Sequence, residues 1–240
     1  MGPDLGPDLG GQLLYAGELD AQASALVVAA NIAGAATLAV SAEAGAQRQA
    51  IRDGVVDFVV NSLDEALRIL KNEIRKRETV AVCVAVAPDG CESDFALEML
   101  ERGVRPDLLG PGGMAAGKLA ALIPPGLARI EPADASADQV FVAWSVAKAP
   151  AVWLPALDKI AVGCLSPQAW AARRWLRLAP RYMGRIAHGV RILRCDAPTA
   201  QCFQQQVREG VERGEIGVPV EIQSFPPPTA SICAQSSFTP

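Results

Sequence analysis

A strand, a tight turn and a helix open the structured part of the chain, and they constrain its fold most. The apolar run Leu13–Tyr15 ends at Gly17, and an alanine- and valine-rich helical pattern runs from Asp20 to Gly34. In dinucleotide-binding folds such a turn holds a pyrophosphate at the helix N-terminus, and it needs glycines so that the backbone can approach the anion. After Gly17 this turn has Glu18 and Asp20 instead. These carboxylates predict a nucleotide-type scaffold with a damaged nucleotide site; Asp20 is also suited to cap the helix.

Strands and helices alternate regularly along the first half of the chain. Predicted strands cover 37–41, 55–60, 79–86 and 105–109; predicted helices cover 44–52, 62–76 and 95–102. Ser62 and Glu65 have the spacing of a capping box, which marks the start of a helix. The alternation predicts an α/β fold with a Rossmann-like, doubly wound and mostly parallel sheet. Residues 127–223 repeat the alternation less clearly, and we expect them to add C-terminal strand–helix units on the same sheet.

The two ends of the chain differ in composition from the rest. Residues 1–11 are rich in glycine and proline and predict a flexible arm, whereas residues 224–240 are rich in proline and serine and predict a tail. Half of the 240 residues are apolar, but no run approaches the roughly 18 residues that a membrane helix needs. The six cysteines lack C-x-x-C spacing and are typical of reduced thiols. We therefore expect a cytoplasmic protein without a membrane segment.

Four stretches in the first half resemble a known family. They are AANIAGAATLAVSAEAG at 29–45, NSLDEALRILK at 61–71, ERGVRPDLLG at 101–110 and LIPPG at 122–126. In this order they resemble the central NAD-binding domain of urocanases (urocanate hydratases), over residues 12–126. The resemblance implies a Rossmann-like fold and makes NAD a possible cofactor.

The departures from the family pattern fall on its functional parts. Where urocanases have the glycine loop Gly-Gly-Met-Gly-Gly-Ala-Gln-Pro, residues 20–27 read DAQASALV. Ser41 stands where the family's second strand ends in an acid suited to a ribose hydroxyl. Residues 111–118 read PGGMAAGK in place of the family's Asp-Gln-Thr-Ser-Ala-His-Asp-Pro. The resemblance thus implies the fold and argues against urocanase activity, and the phosphate loop lacks the glycines that would hold NAD firmly.

A glycine-rich segment follows the last predicted strand of this region. Residues 112–119 read G-x-x-x-x-G-K-L, close to a P-loop, but Leu119 replaces the Ser or Thr that would hold Mg²⁺. A plain glycine loop that leads into a helix is the alternative. A small anionic ligand or a cofactor would have Gly17, Gly112, Gly113 and Lys118 as candidate contacts. The sequence predicts no metal site.

An arginine-rich region dominates the second half of the chain. Seven arginines and no acid lie between 160 and 195, and Arg173, Arg177 and Arg181 recur at helical spacing. They could bind an acidic partner, anionic lipid or nucleic acid. The sequence disfavours nucleic acid, because aromatic residues are few and the pI is about 5.1. Alternatively, these arginines neutralise the net charge of −9 on residues 1–158, either within one molecule or between copies. We expect the protein to form a homo-oligomer.

Three functions remain open at this point. The first is a small-ligand-binding or structural protein of a urocanase-like lineage, without urocanate hydratase activity. The second is an enzyme of the same lineage that uses NAD(H) or another nucleotide, held by the 110–118 loop. The third is an interaction module that works through the arginine-rich helix. The only histidine, His188, and the thiols Cys195 and Cys202 are interpreted as structural or surface residues.

Overall fold

The structure, a computed structural model, describes residues 8–87, 92–110, 128–129, 139–184 and 188–226. These residues divide into two compact units. Unit 1 holds the described residues up to 132 together with 181–184, and unit 2 holds the others.

Unit 1 is built on a parallel sheet with alternating helices. Its strands run in the order β3-β4-β2-β1-β5-β6, and every hydrogen-bonded pair is parallel. The arrangement confirms the predicted Rossmann-like α/β fold. In chain order the elements are β1 (Leu13–Glu18), α1 (Ala21–Ala33), β2 (Ala36–Ser41), α2 (Ala44–Asp53), β3 (Phe58–Val60), α3 (Leu63–Lys76), β4 (Ala81–Ala85), α4 (Glu92–Glu101), β5 (Leu108–Leu109) and β6 (Ala128–Arg129).

Unit 2 has a sheet of its own. Its elements are β7 (Gln139–Val146), α5 (Pro150–Cys164), α6 (Trp170–Tyr182, whose last two residues belong to unit 1), β8 (Val190–Asp196), α7 (Ala197–Glu212) and β9 (Val220–Phe225). The strands pair antiparallel in the order β8-β7-β9. Among the described residues of 127–223, only β6 joins the parallel sheet, so the expectation of a single sheet is corrected. The physical reason is visible in β7, where Val142, Trp144 and Val146 are buried and alternate with less buried residues, as in a sheet covered on one face.

Side-chain caps start α1 and α3 as predicted, whereas α4 starts at Glu92, three residues before the predicted helix. The Asp20 carboxylate accepts the Ala23 N–H at 2.7 Å and caps α1. Ser62 Oγ accepts the Glu65 N–H at 3.3 Å. The reciprocal bond differs from an ideal capping box, because the Glu65 carboxylate accepts the N–H of Asn61, one residue before the cap.

Apolar burial holds each unit together separately. In unit 1, Leu38 and Val82 of the central strands pack with Leu70 of α3, and Tyr15 stacks on Phe95 with ring centroids 6.3 Å apart. In unit 2, Trp144 of β7 lies against Phe203 of α7, with centroids 4.7 Å apart. No helix in the described parts of the chain is long and apolar enough to cross a membrane.

Gly110 is a packing constraint at the end of β5. A Cβ at this position would lie 2.7 Å from Leu26 Cδ2 and 3.2 Å from the carbonyl oxygen of Ala16. We expect Gly110→Ala to lower the free energy of unfolding by about 1–3 kcal/mol, because the Leu26 side chain must change its conformation and the backbone at Ala16 must shift slightly. Urea denaturation followed by circular dichroism measures this.

Gly45, in α2, is the matched control, since a Cβ there meets nothing within 4 Å. Gly45→Ala should leave stability unchanged or raise it by about 0.4–1 kcal/mol. Equal unfolding midpoints for the two variants would contradict the packing role of Gly110.

Candidate functional site

Acidic side chains gather at the carboxyl edge of the parallel sheet, where open α/β sheets bind ligands. Glu18 ends β1, and Asp20 and Glu43 follow β1 and β2 in the turns to α1 and α2. Asp20 and Glu43 are exposed and Glu18 is half-buried. This part of the edge therefore presents negative charge and hydrogen-bond acceptors to a ligand.

The turn between β1 and α1 is closed by its own chain. The Leu19 N–H donates to the Val40 carbonyl at 2.8 Å, and the Asp20 N–H donates to the Glu18 carbonyl at 2.9 Å. The Asp20 carboxylate accepts the Ala23 N–H. A carboxylate thus occupies one of the N–H groups at the helix N-terminus that bind phosphate in dinucleotide folds.

Gly17 has a backbone reason to be glycine. Its φ is +84°, and the pairing of β1 with β2 shifts register between Tyr15 and Gly17. Other residues adopt this conformation only with strain. The local geometry accounts for the glycine, and the predicted contact of Gly17 with a cofactor stays a prediction.

Ser41 is committed to its own loop. The residue is fully buried, and its hydroxyl accepts the Glu43 N–H at 3.2 Å. Its carbonyl accepts from the side-chain amide of Gln47 at 2.8 Å and from the Val86 N–H at 3.1 Å. Where a ribose-binding acid would reach into the site, this strand therefore ends in a buried serine that supports the turn to α2.

Gly110, which follows β5, lies next to β1, because its N–H donates to the Tyr15 carbonyl at 2.9 Å. The predicted contacts Gly112, Gly113 and Lys118 lie outside the described residues. Cys83, in the middle of β4, is fully buried. Burial raises its pKa to about 12, with a further contribution from the charge of Glu18, so Cys83 is a neutral packing thiol.

The three arginines predicted to bind an anionic partner have different surroundings. The Arg173 guanidinium donates to the carbonyls of Leu165 and Ser166, at 2.7 and 3.0 Å, just after the end of α5. Arg177 and Arg181 are exposed, and Arg181 lies 5.3 Å from the centre of the Tyr182 ring. In the same helix Leu176 and Ala179 are buried, whereas Ala171 is exposed. Partner binding by these arginines stays a prediction.

Unit 2 contains a mostly apolar pocket that the sequence did not indicate. Its volume is about 510 Å³, within the range of small-molecule sites. It lies among β7, β8 and the N-terminal parts of α6 and α7. Its walls include Phe141, Leu165, Ala172, Trp175, Ile192 and Arg194. The Trp175 indole N–H donates to the Ile192 carbonyl at 2.7 Å, which holds this aromatic wall in place.

A buried ion pair crosses the core of unit 2. Arg191 Nε of β8 donates to Asp158 Oδ2 of α5 at 2.9 Å, and both side chains are about nine-tenths buried. Burial raises the pKa of Asp158, and the hydrogen bond and charge of Arg191 oppose the increase. The residues are 33 positions apart, so no local pattern reveals the pair.

His188 is exposed, in agreement with its interpretation as a surface residue. Among the residues that the structure describes, no three His, Cys, Asp or Glu side chains are placed to hold a metal ion.

The first part of the chain matches a known protein family. A family model described as the urocanase Rossmann-like domain matches residues 4–140. The match covers more than half of the chain and includes every strand of the parallel sheet.

The Asp158 carboxyl makes the stability of unit 2 depend on pH. Because its pKa is raised above the ordinary 3.8, the folded protein holds this proton more tightly than the unfolded chain does. Its contribution to stability is therefore greatest below pH 3.8 and is lost as the pH rises through the raised pKa. The Asp158→Asn variant should not lose stability in this way as the pH rises. Urea unfolding between about pH 4 and 7 measures the difference between the two proteins.

Asp196 provides a control of opposite sign. The hydrogen bonds from Thr199 lower its pKa, so its contribution is present above 3.8 and is lost as the pH falls. Asp196→Asn keeps a good helix cap and should remove that loss at acid pH. If Asp158→Asn shows the same pH profile as Asp196→Asn, the assignment for Asp158 is wrong.

Proposed function

Because this chain belongs to the urocanase Rossmann-like domain family, we propose that it is a small-ligand-binding or structural member of that family without urocanate hydratase activity. The observation that carries the proposal is the Asp20 carboxylate on the Ala23 N–H at 2.7 Å. It places a fixed negative charge where a dinucleotide would set its pyrophosphate.

Electrostatics disfavours a pyrophosphate at this turn. Two unit charges of the same sign 4 Å apart repel each other by about 1 kcal/mol in water and about 4 kcal/mol near a protein surface. A pyrophosphate at the N-terminus of α1 would approach the carboxylates of both Glu18 and Asp20. It would also have to displace the Asp20 side chain from the Ala23 N–H. The positive end of the helix dipole, which favours phosphate, is already offset by the cap.

The loop after β5 is the better place for an anion. Gly110, the last described residue before this segment, lies beside β1 at the edge at which open sheets bind ligands. Gly112 and Gly113 would allow close backbone approach, and Lys118 would supply a positive charge. We propose that a small anionic ligand is held there and not at the N-terminus of α1.

A second candidate is an enzyme of the same lineage that holds NAD(H) or another nucleotide through this loop. What favours it is the retained strand order of a dinucleotide fold, with β1 between β2 and β5. It differs from the first candidate in requiring a bound nucleotide and turnover.

Two substitutions separate these sites. We expect Lys118→Met to weaken binding of inorganic phosphate or AMP at least tenfold, about 1.4 kcal/mol. Asp20→Asn keeps the cap and should leave that affinity unchanged. Isothermal titration calorimetry measures both, and loss of the ultraviolet absorbance of urocanate tests hydratase activity.

The alternatives have distinct results. Urocanate turnover by the wild-type protein would refute the main proposal. Stoichiometric NAD binding lost in Lys118→Met would favour the enzyme. Binding that strengthens in Asp20→Asn would place the ligand at α1. Binding of a polyanion that weakens as salt rises and requires Arg177 would favour the interaction module.

We also propose that the protein is a homo-oligomer in the cytoplasm. The −9 charge of residues 1–158 and the +5 charge of residues 159–240 are complementary between copies, and Phe58 and Trp170 are large apolar side chains exposed by 47% and 44%. Sedimentation velocity should show a mass above the 25.1 kDa of one chain that decreases as salt rises. A monomer at low salt would refute the oligomer, and cell fractionation tests the location.

A further inference from the structure

Two cysteines that are far apart in sequence meet in unit 2. Cys164 is the last residue of α5, and Cys202 lies in the second turn of α7. Their Sγ atoms are 2.8 Å apart, whereas a disulfide bond is about 2.05 Å long. The two helices contact each other and share a core that includes Leu157, Ala161 and Phe203. The packing of the helices thus holds the two thiols in contact without a bond between them.

The surroundings of the pair favour reaction with a small oxidant. Both thiols are half-buried, so a molecule the size of hydrogen peroxide can reach them. The side-chain amide of Gln206 donates to Cys202 Sγ at 3.6 Å, a contact that stabilises a thiolate. Burial, followed by the hydrogen bond and charge of Cys202 and the charge of Cys195, raises the pKa of Cys164 to about 12. Cys164 therefore keeps its proton, and Cys202, whose sulfur the Gln206 amide contacts, is assigned the first step.

Other cysteines in the described residues are less suited to this chemistry. Cys195 is buried, and burial, with the charge of Asp196 adding to it, raises its pKa to about 11. Cys83 is fully buried in unit 1. Both lack the combination of access and a second sulfur in contact that Cys164 and Cys202 share.

We propose that Cys164 and Cys202 are a redox modification site, which hydrogen peroxide converts reversibly into an intramolecular disulfide. The Cys202 thiolate attacks one peroxide oxygen, the O–O bond breaks, and the leaving hydroxide takes a proton to form water. Cys202 is then a sulfenic acid. The Cys164 sulfur attacks the Cys202 sulfur, the S–O bond breaks, and the departing hydroxide leaves as water with the Cys164 proton. Two thiols together lose two electrons, and one peroxide is reduced to two waters.

The bond would change the part of the chain that forms the pocket. It closes the segment between 164 and 202, which contains Leu165, Trp175, Ile192 and Arg194 of the pocket walls. Cross-linking this segment restricts its motion and stabilises the fold by limiting the unfolded chain. The oxidation state of the pair would thus set how rigidly these walls are held.

Peptide mapping of the full-length wild-type protein tests the proposal without any variant. The protein is reduced, freed of reductant, treated with hydrogen peroxide, blocked with N-ethylmaleimide and digested. We expect a peptide that links Cys164 to Cys202, an intact mass lower by two hydrogens before blocking, and two fewer maleimide adducts, all reversed by dithiothreitol. Maleimide on both cysteines after peroxide, or a link through Cys195 or between two molecules, would overturn the proposal.

Variants test the order of the two steps and the effect on the fold. With Cys164→Ser, peroxide should leave Cys202 as a sulfenic acid that dimedone traps. With Cys202→Ser, Cys164 should not be trapped. Cys195→Ala is the matched control and should still form the link. Oxidation should raise the Tm by about 5 °C in the wild type and in Cys195→Ala. It should leave the Tm of Cys164→Ser and Cys202→Ser unchanged. An equal Tm for the oxidised and reduced wild type would contradict the cross-link.

Discussion

Strand β1 is hydrogen-bonded on both sides, and the carboxyl edge of the parallel sheet depends on this pairing. Leu13 pairs with Ala36 of β2, and Tyr15 pairs with Leu109 of β5. At the other end of the strand, the Asp107 carboxylate accepts the Leu13 N–H while the Asp107 N–H donates to the Leu13 carbonyl, both at 2.8 Å. A strand buried and paired in this way cannot slide without breaking bonds on two sides. The turn that follows it therefore starts at a fixed place in the sheet, where the Leu19 N–H donates to the Val40 carbonyl.

The fold of unit 1 and its capacity to bind a dinucleotide rest on different residues. The strand order, the first helix and the packing of Gly110 keep a dinucleotide-type scaffold. At the N-terminus of α1, however, the Asp20 carboxylate already accepts the Ala23 N–H, and Ser41 supports its loop from a buried position. A scaffold and the ligand it holds are separable, because the scaffold rests on buried strands and the ligand on a few residues in the turns. Unit 2 adds a pocket and a pair of thiols that do not depend on those turns.

Sequence reasoning succeeded where the deciding contacts are local. The caps at Asp20 and Ser62 depend on partners three residues away, and the parallel sheet follows from the regular alternation of its elements. It was less accurate for β3, predicted over 55–60 but found at Phe58–Val60, because the Val55 and Val56 N–H groups donate to the Ala50 carbonyl and finish α2. The antiparallel sheet of unit 2 was missed, although buried and less buried residues alternate along β7. The spacing of strands and helices in the sequence fits one sheet or two separate sheets equally well. Contacts such as Asp158–Arg191 and Cys164–Cys202 depend on tertiary packing and have no periodic signature. Arg173 likewise binds backbone carbonyls, which no residue type in the sequence identifies.

The central place of β1 also has a consequence for the order in which unit 1 folds. Its pairing with β2 closes a short segment, but the hydrogen bond between Leu13 and Asp107 joins residues 94 positions apart. Such a contact forms only after the entropy of closing a long loop has been overcome, which slows folding relative to chains with local contacts. During synthesis, one side of β1 therefore waits unpaired until β5 has been made. The strand that organises the sheet is the first to be synthesised and among the last to complete its hydrogen bonds.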